Sequence, residues 1–203
     1  MAFLDRYLAP LRPCSILELG CGRGLILQEL RDLDAVGVEI DEREAAIASA
    51  KQLDVRVGHA GYYDASREFD VVVASEVIEH MIEPQSLLEN AVRHLRPGGM
   101  LLPNGYGYYE LSERHLNPKY LIGTNNRLRR LLGKKPYKLG DSGDHCQWFT
   151  MRRLLRMTTK AGFSLIEQEN SDFITGSERD IQLASKLPYW LVSGWYFAFR
   201  HEA

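Results

Sequence analysis

The sequence predicts an α/β fold in which a mostly parallel sheet is covered by helices on both faces. Short apolar runs rich in β-branched residues alternate with segments of helical spacing, and this alternation repeats five times between residues 14 and 102. Turns containing glycine or proline separate several of these segments. Such an alternation is typical of parallel strands joined by crossover helices. Ligands of such folds bind at the carboxyl ends of the strands, near the point where the strand order reverses.

Seven segments have the composition of strands and four have the spacing of helices. The strands are predicted at residues 14–19, 35–40, 55–57, 69–74, 100–102, 163–169 and 194–200. The helices are predicted at residues 25–33, 42–53, 84–95 and 150–161, with Pro84 at the start of the third and a Pro-Gly-Gly turn after its end.

The segment 104–147 interrupts this regular pattern. It is rich in glycine, asparagine, tyrosine and arginine, with one short helix expected near residues 127–132. Long irregular segments inside a compact domain are usually functional. We therefore predict a single domain over residues 1–203, with 104–147 forming a lid that covers the site and binds the acceptor.

Composition places the chain among globular proteins of reducing compartments. The 203 residues carry a formal net charge of −2, which excludes a gross preference for nucleic acid or for membranes. Residues 114–138 contain eight Lys or Arg and no Asp or Glu, which indicates either a solvated surface or a contact for an acidic group. The three cysteines form no close pair, and no signal-peptide core or membrane-spanning run occurs, so a cytoplasmic location is expected.

A glycine-rich turn follows the first predicted strand. Gly20, Gly22 and Gly24 form a G-x-G-x-G pattern, whereas a dinucleotide fingerprint requires its third glycine at position 25, which is Leu25. Glycines permit a sharp turn and a close approach of ligand to backbone, and free amides at a helix start favour a carboxylate. Glu39 ends the second predicted strand, where a carboxylate can accept hydrogen bonds from both hydroxyls of a ribose.

Four motifs in order give the sequence a family resemblance. They are LELGCGRG at 17–24, VGVEID at 36–41, FDVVVASEVIEH at 69–80 and LRPGG at 95–99. Together they resemble the class I S-adenosylmethionine-dependent methyltransferases over about residues 14–103. Within that class the sequence looks closest to the small ubiquinone-biosynthesis O-methyltransferases and the MetW-like group. The resemblance implies a Rossmann-like sheet of seven strands whose last strand is antiparallel, and S-adenosylmethionine as cofactor.

The resemblance also implies roles for individual residues in cofactor binding. The methionine part is expected to contact Glu18, Gly20, Gly22 and Gly24, and the sulfonium is expected to lie beside Ala74, Ser75 and Glu76. The ribose is expected to bind Glu39, and one face of the adenine is expected to pack on Ile40. The adenine amine is expected to meet the segment Gly58, His59 and Ala60. His59 departs from the family, which usually has an acid or Asn there, but a neutral imidazole can accept one hydrogen bond.

A hydroxyl nucleophile would need a general base, and several residues of the expected rim qualify. His145 and Tyr106 are the first candidates, with His80 and Glu110 as alternatives. Glu76, Glu79 and His80 resemble a cation-binding set found in some relatives. We expect no metal there, and we expect activity to survive chelation.

The leading interpretation is a methyltransferase that acts at oxygen on a small-molecule or lipid-linked acceptor, which the basic segment suggests is acidic. A non-catalytic S-adenosylmethionine-binding partner protein and an RNA methyltransferase remain alternatives, and Leu25 disfavours an NAD-dependent oxidoreductase. No nucleic-acid partner and no stable membrane insertion are expected, and the protein is expected to be a monomer or a homodimer.

Overall fold

The computed structural model describes residues 2–106, 149–171, 182–189, 192 and 194–202. The strands are β1 (Ser15–Leu19), β2 (Asp34–Glu39), β3 (Val55–Val57), β4 (Phe69–Ser75), β5 (Leu95–Tyr106), β6 (Phe163–Asn170) and β7 (Gly194–His201). The α-helices are α1 (Ala2–Leu8), α2 (Leu25–Glu29), α3 (Glu42–Ser49), α4 (Pro84–His94) and α5 (Met151–Lys160). Two short 3₁₀ helices cover Ala9–Leu11 and Ile78–His80.

All seven strands belong to one sheet in the order β3-β2-β1-β4-β5-β7-β6. The neighbours from β3 to β5 are parallel, whereas β7 is antiparallel to both β5 and β6. This arrangement confirms the predicted fold class, including the antiparallel last strand. Because β1 to β5 run in one direction, their carboxyl ends meet at a single edge of the sheet.

The side chains of each central strand alternate between two apolar layers. On one face, Val72 and Ala74 of β4 pack in a layer with residues of α4 and α5. On the other face, Val71 and Val73 pack with α1 and with Leu30 just beyond α2. Side chains separated by two positions in a strand therefore share a face, and this rule decides which residues reach the site.

The N-terminal helix α1 was not predicted from the sequence. It buries Phe3 and Leu8 against the sheet. Arg6 pairs with Glu167 at 2.9 Å and with Glu169 at 3.0 Å, and the Tyr7 hydroxyl donates to Glu167. These contacts tie α1 to the edge strand β6. No described helix combines the length and the hydropathy that crossing a membrane would need.

Six strands match their predicted ranges within one residue at each end, but β5 is much longer than the predicted 100–102. Its pairing with β4 shifts register between Leu95 and Met100, so the predicted Pro-Gly-Gly turn lies inside the strand as an irregularity. Beyond residue 103 it continues to Tyr106, whose backbone pairs with Gly194 of β7. Residues 104–106 are therefore strand and not the loop that the sequence predicts, because β7 supplies pairing partners for them.

Two helices end earlier than the sequence predicts. Helix α2 stops at Glu29 instead of residue 33, and α3 stops at Ser49 instead of residue 53. Shortly after α3, Gln52 adopts a left-handed conformation with φ of 64°, which is incompatible with a continuing helix. The start of α3 is well defined, since the Asp41 side chain accepts hydrogen bonds from the amides of Arg43 and Glu44.

Candidate functional site

The carboxyl ends of the parallel strands bring most of the predicted cofactor-binding residues to one edge. Gly20 follows β1, Glu39 ends β2, Gly58 follows β3 and Ser75 ends β4. The pairing registers place β1 between β2 and β4, so the glycine turn lies at the centre of this group. Strand order reverses between β1 and β4, which is where open α/β sheets bind ligands.

The glycine turn requires glycine for two separate reasons. Gly20 has a φ of 78°, and a Cβ atom there would lie 2.4 Å from Cγ2 of Val77. Gly22 also has a positive φ, of 50°, but a Cβ there would meet nothing within 4 Å. Packing against the loop after β4 therefore requires glycine at position 20. Gly22 instead borders open space, in which a ligand can approach the backbone.

Glu39 is held in place by the backbone around it. Its Oε2 accepts from the Gly22 amide at 2.8 Å, and its Oε1 accepts from the Asp41 amide at 2.9 Å. Each carboxylate oxygen can accept more than one hydrogen bond, so capacity remains for two hydroxyl donors. The carboxylate therefore has the fixed orientation and spare acceptor capacity that binding a ribose requires.

Glu18 is a buried carboxyl beside the turn. Only 2% of the residue is exposed, and its Oε2 has no hydrogen-bond partner within the described part of the chain. Burial raises the pKa of Glu18 to about 8, an increase that the Leu27 backbone amide opposes and the nearby charge of Glu39 reinforces. A buried carboxyl with a vacant acceptor suits a ligand that brings an ammonium group or a sulfonium. The residues present therefore fit the methionine part of S-adenosylmethionine.

The raised pKa of Glu18 predicts how stability depends on pH. The native carboxyl keeps its proton up to about pH 8, whereas an unfolded glutamate loses it near pH 4.3. Between these values the native state binds more protons than the unfolded state, so this group's contribution to stability is lost as the pH rises. The Glu18→Gln variant should lose this dependence, and its stability difference from the wild type should change by up to about 1.4 kcal/mol per pH unit. Urea unfolding of both proteins at pH 5.5, 6.5 and 7.5 measures the difference in stability. A difference that stays constant over this pH range would contradict the prediction.

The segment after β3 corrects the expected role of His59. Its Nδ1 lies 3.0 Å from the amide of Gly61, and a backbone amide can only donate. In the neutral ring the proton must then be on Nε2, so His59 offers a donor and not the predicted acceptor. The ring stacks on Tyr62 with centroids 4.8 Å apart, and the nearby Ile40 side chain remains 64% exposed at the end of β2.

Three other predicted residues have structural roles in the folded chain. Ala74 is 2% exposed and packs in the layer beneath α4, which is the face opposite Glu18, so its side chain does not reach the site. The Ala60 carbonyl accepts from the Asn90 side chain at 2.8 Å. A Cβ on Gly58 would lie 2.5 Å from the Tyr63 ring, so glycine is needed there for packing.

The ends of β4 and β5 are joined by Asn104, which was treated in the sequence only as the first lid residue. Its Oδ1 accepts from the Ser75 hydroxyl at 2.6 Å and from the Glu76 amide at 3.1 Å. The Glu76 amide also lies 3.1 Å from the Asn104 carbonyl. Glu76 has a φ of 56°, a left-handed conformation that is uncommon for a residue with a side chain. Such backbone strain often accompanies functional sites.

The candidate catalytic bases lie mostly beyond the described ranges. His145 and Glu110 are outside the described residues, as are the basic segment 114–138 and most of the proposed lid. Tyr106 is the last residue of β5, and His80 closes the 3₁₀ helix after β4. Within the described ranges no group of three or more His, Cys, Asp or Glu side chains could hold a metal ion. The expectation that activity needs no metal remains a prediction.

Several solved structures with the same architecture are named as S-adenosylmethionine-dependent methyltransferases. One from Thermotoga maritima matches 99% of this chain and 89% of its own, with a TM-score of 0.65 and 23% identity. Another from Mesorhizobium loti matches 98% of both chains, with a TM-score of 0.67 and 16% identity. At these identities the similarity concerns the fold alone.

Curated relatives match almost half of the chain, at higher sequence identity than these structures. The ubiquinone biosynthesis O-methyltransferase of Parvibaculum lavamentivorans is 34% identical over 105 residues, which are 47% of this chain and 42% of the relative. The protein of the same name from Thiobacillus denitrificans is 32% identical over 101 residues, 45% of this chain and 44% of the relative. The chain thus spans less than half the length of these relatives.

The broadest match is to a family model. The model described as a methyltransferase domain, Methyltransf_23, covers residues 1–168, which include α1, the glycine turn, all five parallel strands and most of β6. This range exceeds half of the chain and contains every residue assigned above to the cofactor. The chain therefore belongs to this methyltransferase domain family.

Proposed function

We propose that this chain is an S-adenosylmethionine-dependent methyltransferase that acts on a small-molecule acceptor at oxygen. The observation that carries the proposal is the junction of the glycine turn with Glu39, where the Gly22 amide and the carboxylate are 2.8 Å apart. A ligand with both a ribose and an amino-acid tail would contact the two parts at once. Glu18, buried beside the turn, would ionise when the positive charge of the ligand lies against it, because an opposite charge favours the carboxylate.

The chain's contribution to the reaction is alignment of the two substrates and exclusion of water. S-adenosylmethionine, when bound, supplies a methyl group already activated by its sulfonium. Glu39 would accept from the ribose hydroxyls, Gly22 would allow close backbone approach, and Ser75 with Glu76 would border the transfer position. Methyl transfer is an in-line displacement that depends mainly on such positioning. A hydroxyl acceptor must also lose its proton, and Tyr106 and His145 are the proposed bases.

The class of acceptor is inferred from the relatives and from the basic segment. The curated relatives are named O-methyltransferases, which supports oxygen as the acceptor atom. The eight Lys or Arg of 114–138 support an acidic group on the acceptor, with 107–147 as its cover. The proposal includes a single domain, a monomeric or homodimeric state and a cytoplasmic location.

Calorimetry tests the proposed cofactor directly. S-adenosylmethionine and S-adenosylhomocysteine should both bind with one site per chain, and NAD should not compete, because Leu25 occupies the third glycine position of a dinucleotide turn. Tight NAD binding without a response to either sulfur nucleoside would overturn the proposal. Binding without methyl transfer to any phenol, catechol or RNA would instead favour the non-catalytic alternative.

A further inference from the structure

A cavity of about 200 Å³ lies between helices α1 and α2 and the face of β4 and β5. Its wall is largely apolar and includes Phe3, Leu4, Ile26 and Leu102. Ser75 and Asn104 contribute polar atoms at the carboxyl end of the sheet. Among the described residues no Asp, Glu, Lys, Arg or His side chain lines it, so the cavity suits an uncharged molecule.

The cavity adjoins the proposed cofactor site on the same face of the sheet. Val73, which lines it, pairs in register with Glu18 of β1, and Leu102 of β5 pairs with Val73. Ile26 belongs to α2, the helix that begins directly after the glycine turn. The cavity is thus one strand away from the glycine turn, and it offers no charged partner for an ammonium or a carboxylate. This placement suits the acceptor and not the methionine part of the cofactor.

The hydrogen bonds of Asn104 determine which end of its amide is available to a ligand. The Glu76 amide is an obligatory donor, so the side-chain atom facing it at 3.1 Å must be the oxygen. The Ser75 hydroxyl donates a hydrogen bond to the same oxygen. The amide nitrogen is then on the other side, and it donates to no residue in the described part of the chain. Asn104 lines the cavity with two donor hydrogens left to offer.

We propose that Asn104 is a specificity-determining residue whose side-chain nitrogen donates a hydrogen bond to an oxygen atom in the uncharged, mainly apolar part of the acceptor, which binds in this cavity. The inference rests on the proposed function and narrows its substrate class. Any acidic group of the acceptor would have to lie outside the cavity, because no charged side chain among the described residues lines it. The Ser75 and Glu76 donors hold the amide in one orientation, so the nitrogen is preorganised for the acceptor.

Two probes of equal shape test the donor. 4-Ethylanisole carries an ether oxygen, which can only accept a hydrogen bond, where 1,4-diethylbenzene carries a methylene group, and NMR titration of the protein saturated with S-adenosylhomocysteine measures both affinities. The wild type should bind the ether roughly three- to tenfold more tightly, the worth of one hydrogen bond. The Asn104 side-chain amide signals should shift with the ether.

The Asn104→Asp variant tests whether the Asn104 side chain acts as a hydrogen-bond donor to the ligand or has only a structural role. An aspartate keeps an oxygen for Ser75 and Glu76 but has no hydrogen to donate, and the ether cannot donate to the carboxylate, so the preference for the ether should disappear. Gln28→Glu is the matched control, because the Gln28 side-chain oxygen, which a glutamate keeps, accepts from Lys51 at 2.9 Å, and Gln28 does not line the cavity. Asn104→Leu removes the donor without adding a charge, and Leu4→Trp should fill the cavity and abolish binding of both probes.

The outcomes distinguish this inference from the proposed function. Loss of the preference in both Asn104 variants, with S-adenosylhomocysteine affinity and the Gln28→Glu preference retained, supports the inference. A preference that persists in Asn104→Asp or Asn104→Leu would overturn it, as would a wild type that binds neither probe in the presence of S-adenosylhomocysteine. If S-adenosylhomocysteine itself fails to bind the wild type, the proposed function fails.

Discussion

The Gly20→Ala variant is expected to lose about 2–5 kcal/mol of unfolding free energy and most of its affinity for S-adenosylhomocysteine. Alanine at a φ of 78° costs about 1–2 kcal/mol. Its methyl group would also lie 2.4 Å from Val77 Cγ2, and such overpacking typically costs a further 1–3 kcal/mol. Since Gly20 and Cys21 both donate to the Val38 carbonyl, a shift of the turn would also disturb the loop that faces the cofactor.

Gly98 provides a matched control for the backbone part of this effect. It has a φ of 77°, and a Cβ there would meet nothing within 4 Å. Urea unfolding of Gly98→Ala should therefore report the conformational cost alone, and the difference between the two variants should report the clash. The double variant Gly20→Ala/Val77→Ala should relieve part of that difference. Equal stability of Gly20→Ala and Gly98→Ala would show that Val77 does not constrain the turn.

Removing the Glu39 carboxylate is expected to weaken S-adenosylhomocysteine binding by about 1–3 kcal/mol, which is roughly a 5- to 150-fold rise in Kd. The ribose hydroxyls would lose their acceptor. The amides of Gly22 and Asp41 would also lose the Glu39 carboxylate oxygens, to which they donate at 2.8 and 2.9 Å. Calorimetry of Glu39→Ala at constant salt measures the change. Adenosine should lose affinity in the same proportion, because it carries the same ribose.

Glu42→Ala is the control for the loss of one negative charge in the same region. Glu42 is an exposed residue of the first turn of α3, three positions after Glu39. Its removal should leave the Kd within about twofold, since an exposed charge is screened by solvent. A folded Glu39→Ala protein with unchanged affinity would show that the ribose does not bind at the end of β2.

Local sequence patterns were sufficient for the order and type of most elements. The run of β-branched residues in 69–74 predicted β4, because a strand buried on both faces has few other compositions available to it. The spacing of Gly20, Gly22 and Gly24 before a helical segment predicted the turn, because only glycine adopts these positive φ values without cost. The position of Glu39 at the end of the second strand was likewise predicted from the sequence alone.

The site details that the sequence could not supply depend on residues far apart in the chain. The extension of β5 to Tyr106 depends on pairing with β7, whose residues lie about ninety positions later. The role of Asn104 depends on Ser75 and Glu76, which only the parallel register of β4 and β5 places beside it. The available nitrogen of His59 depends on the conformation that brings the Gly61 amide to Nδ1.

The sequence by itself determined the α/β class, the order of the strands along the chain and the group of residues at the cofactor edge. These follow from side-chain periodicity and from backbone preferences, which act over a few residues. The tertiary structure decided the burial of Glu18, the packing of helix α1 against the sheet and the hydrogen-bond orientation of the Asn104 side chain. These features depend on which face of a strand is covered and on which element covers it. Both are determined only when segments that are distant in the chain pack together.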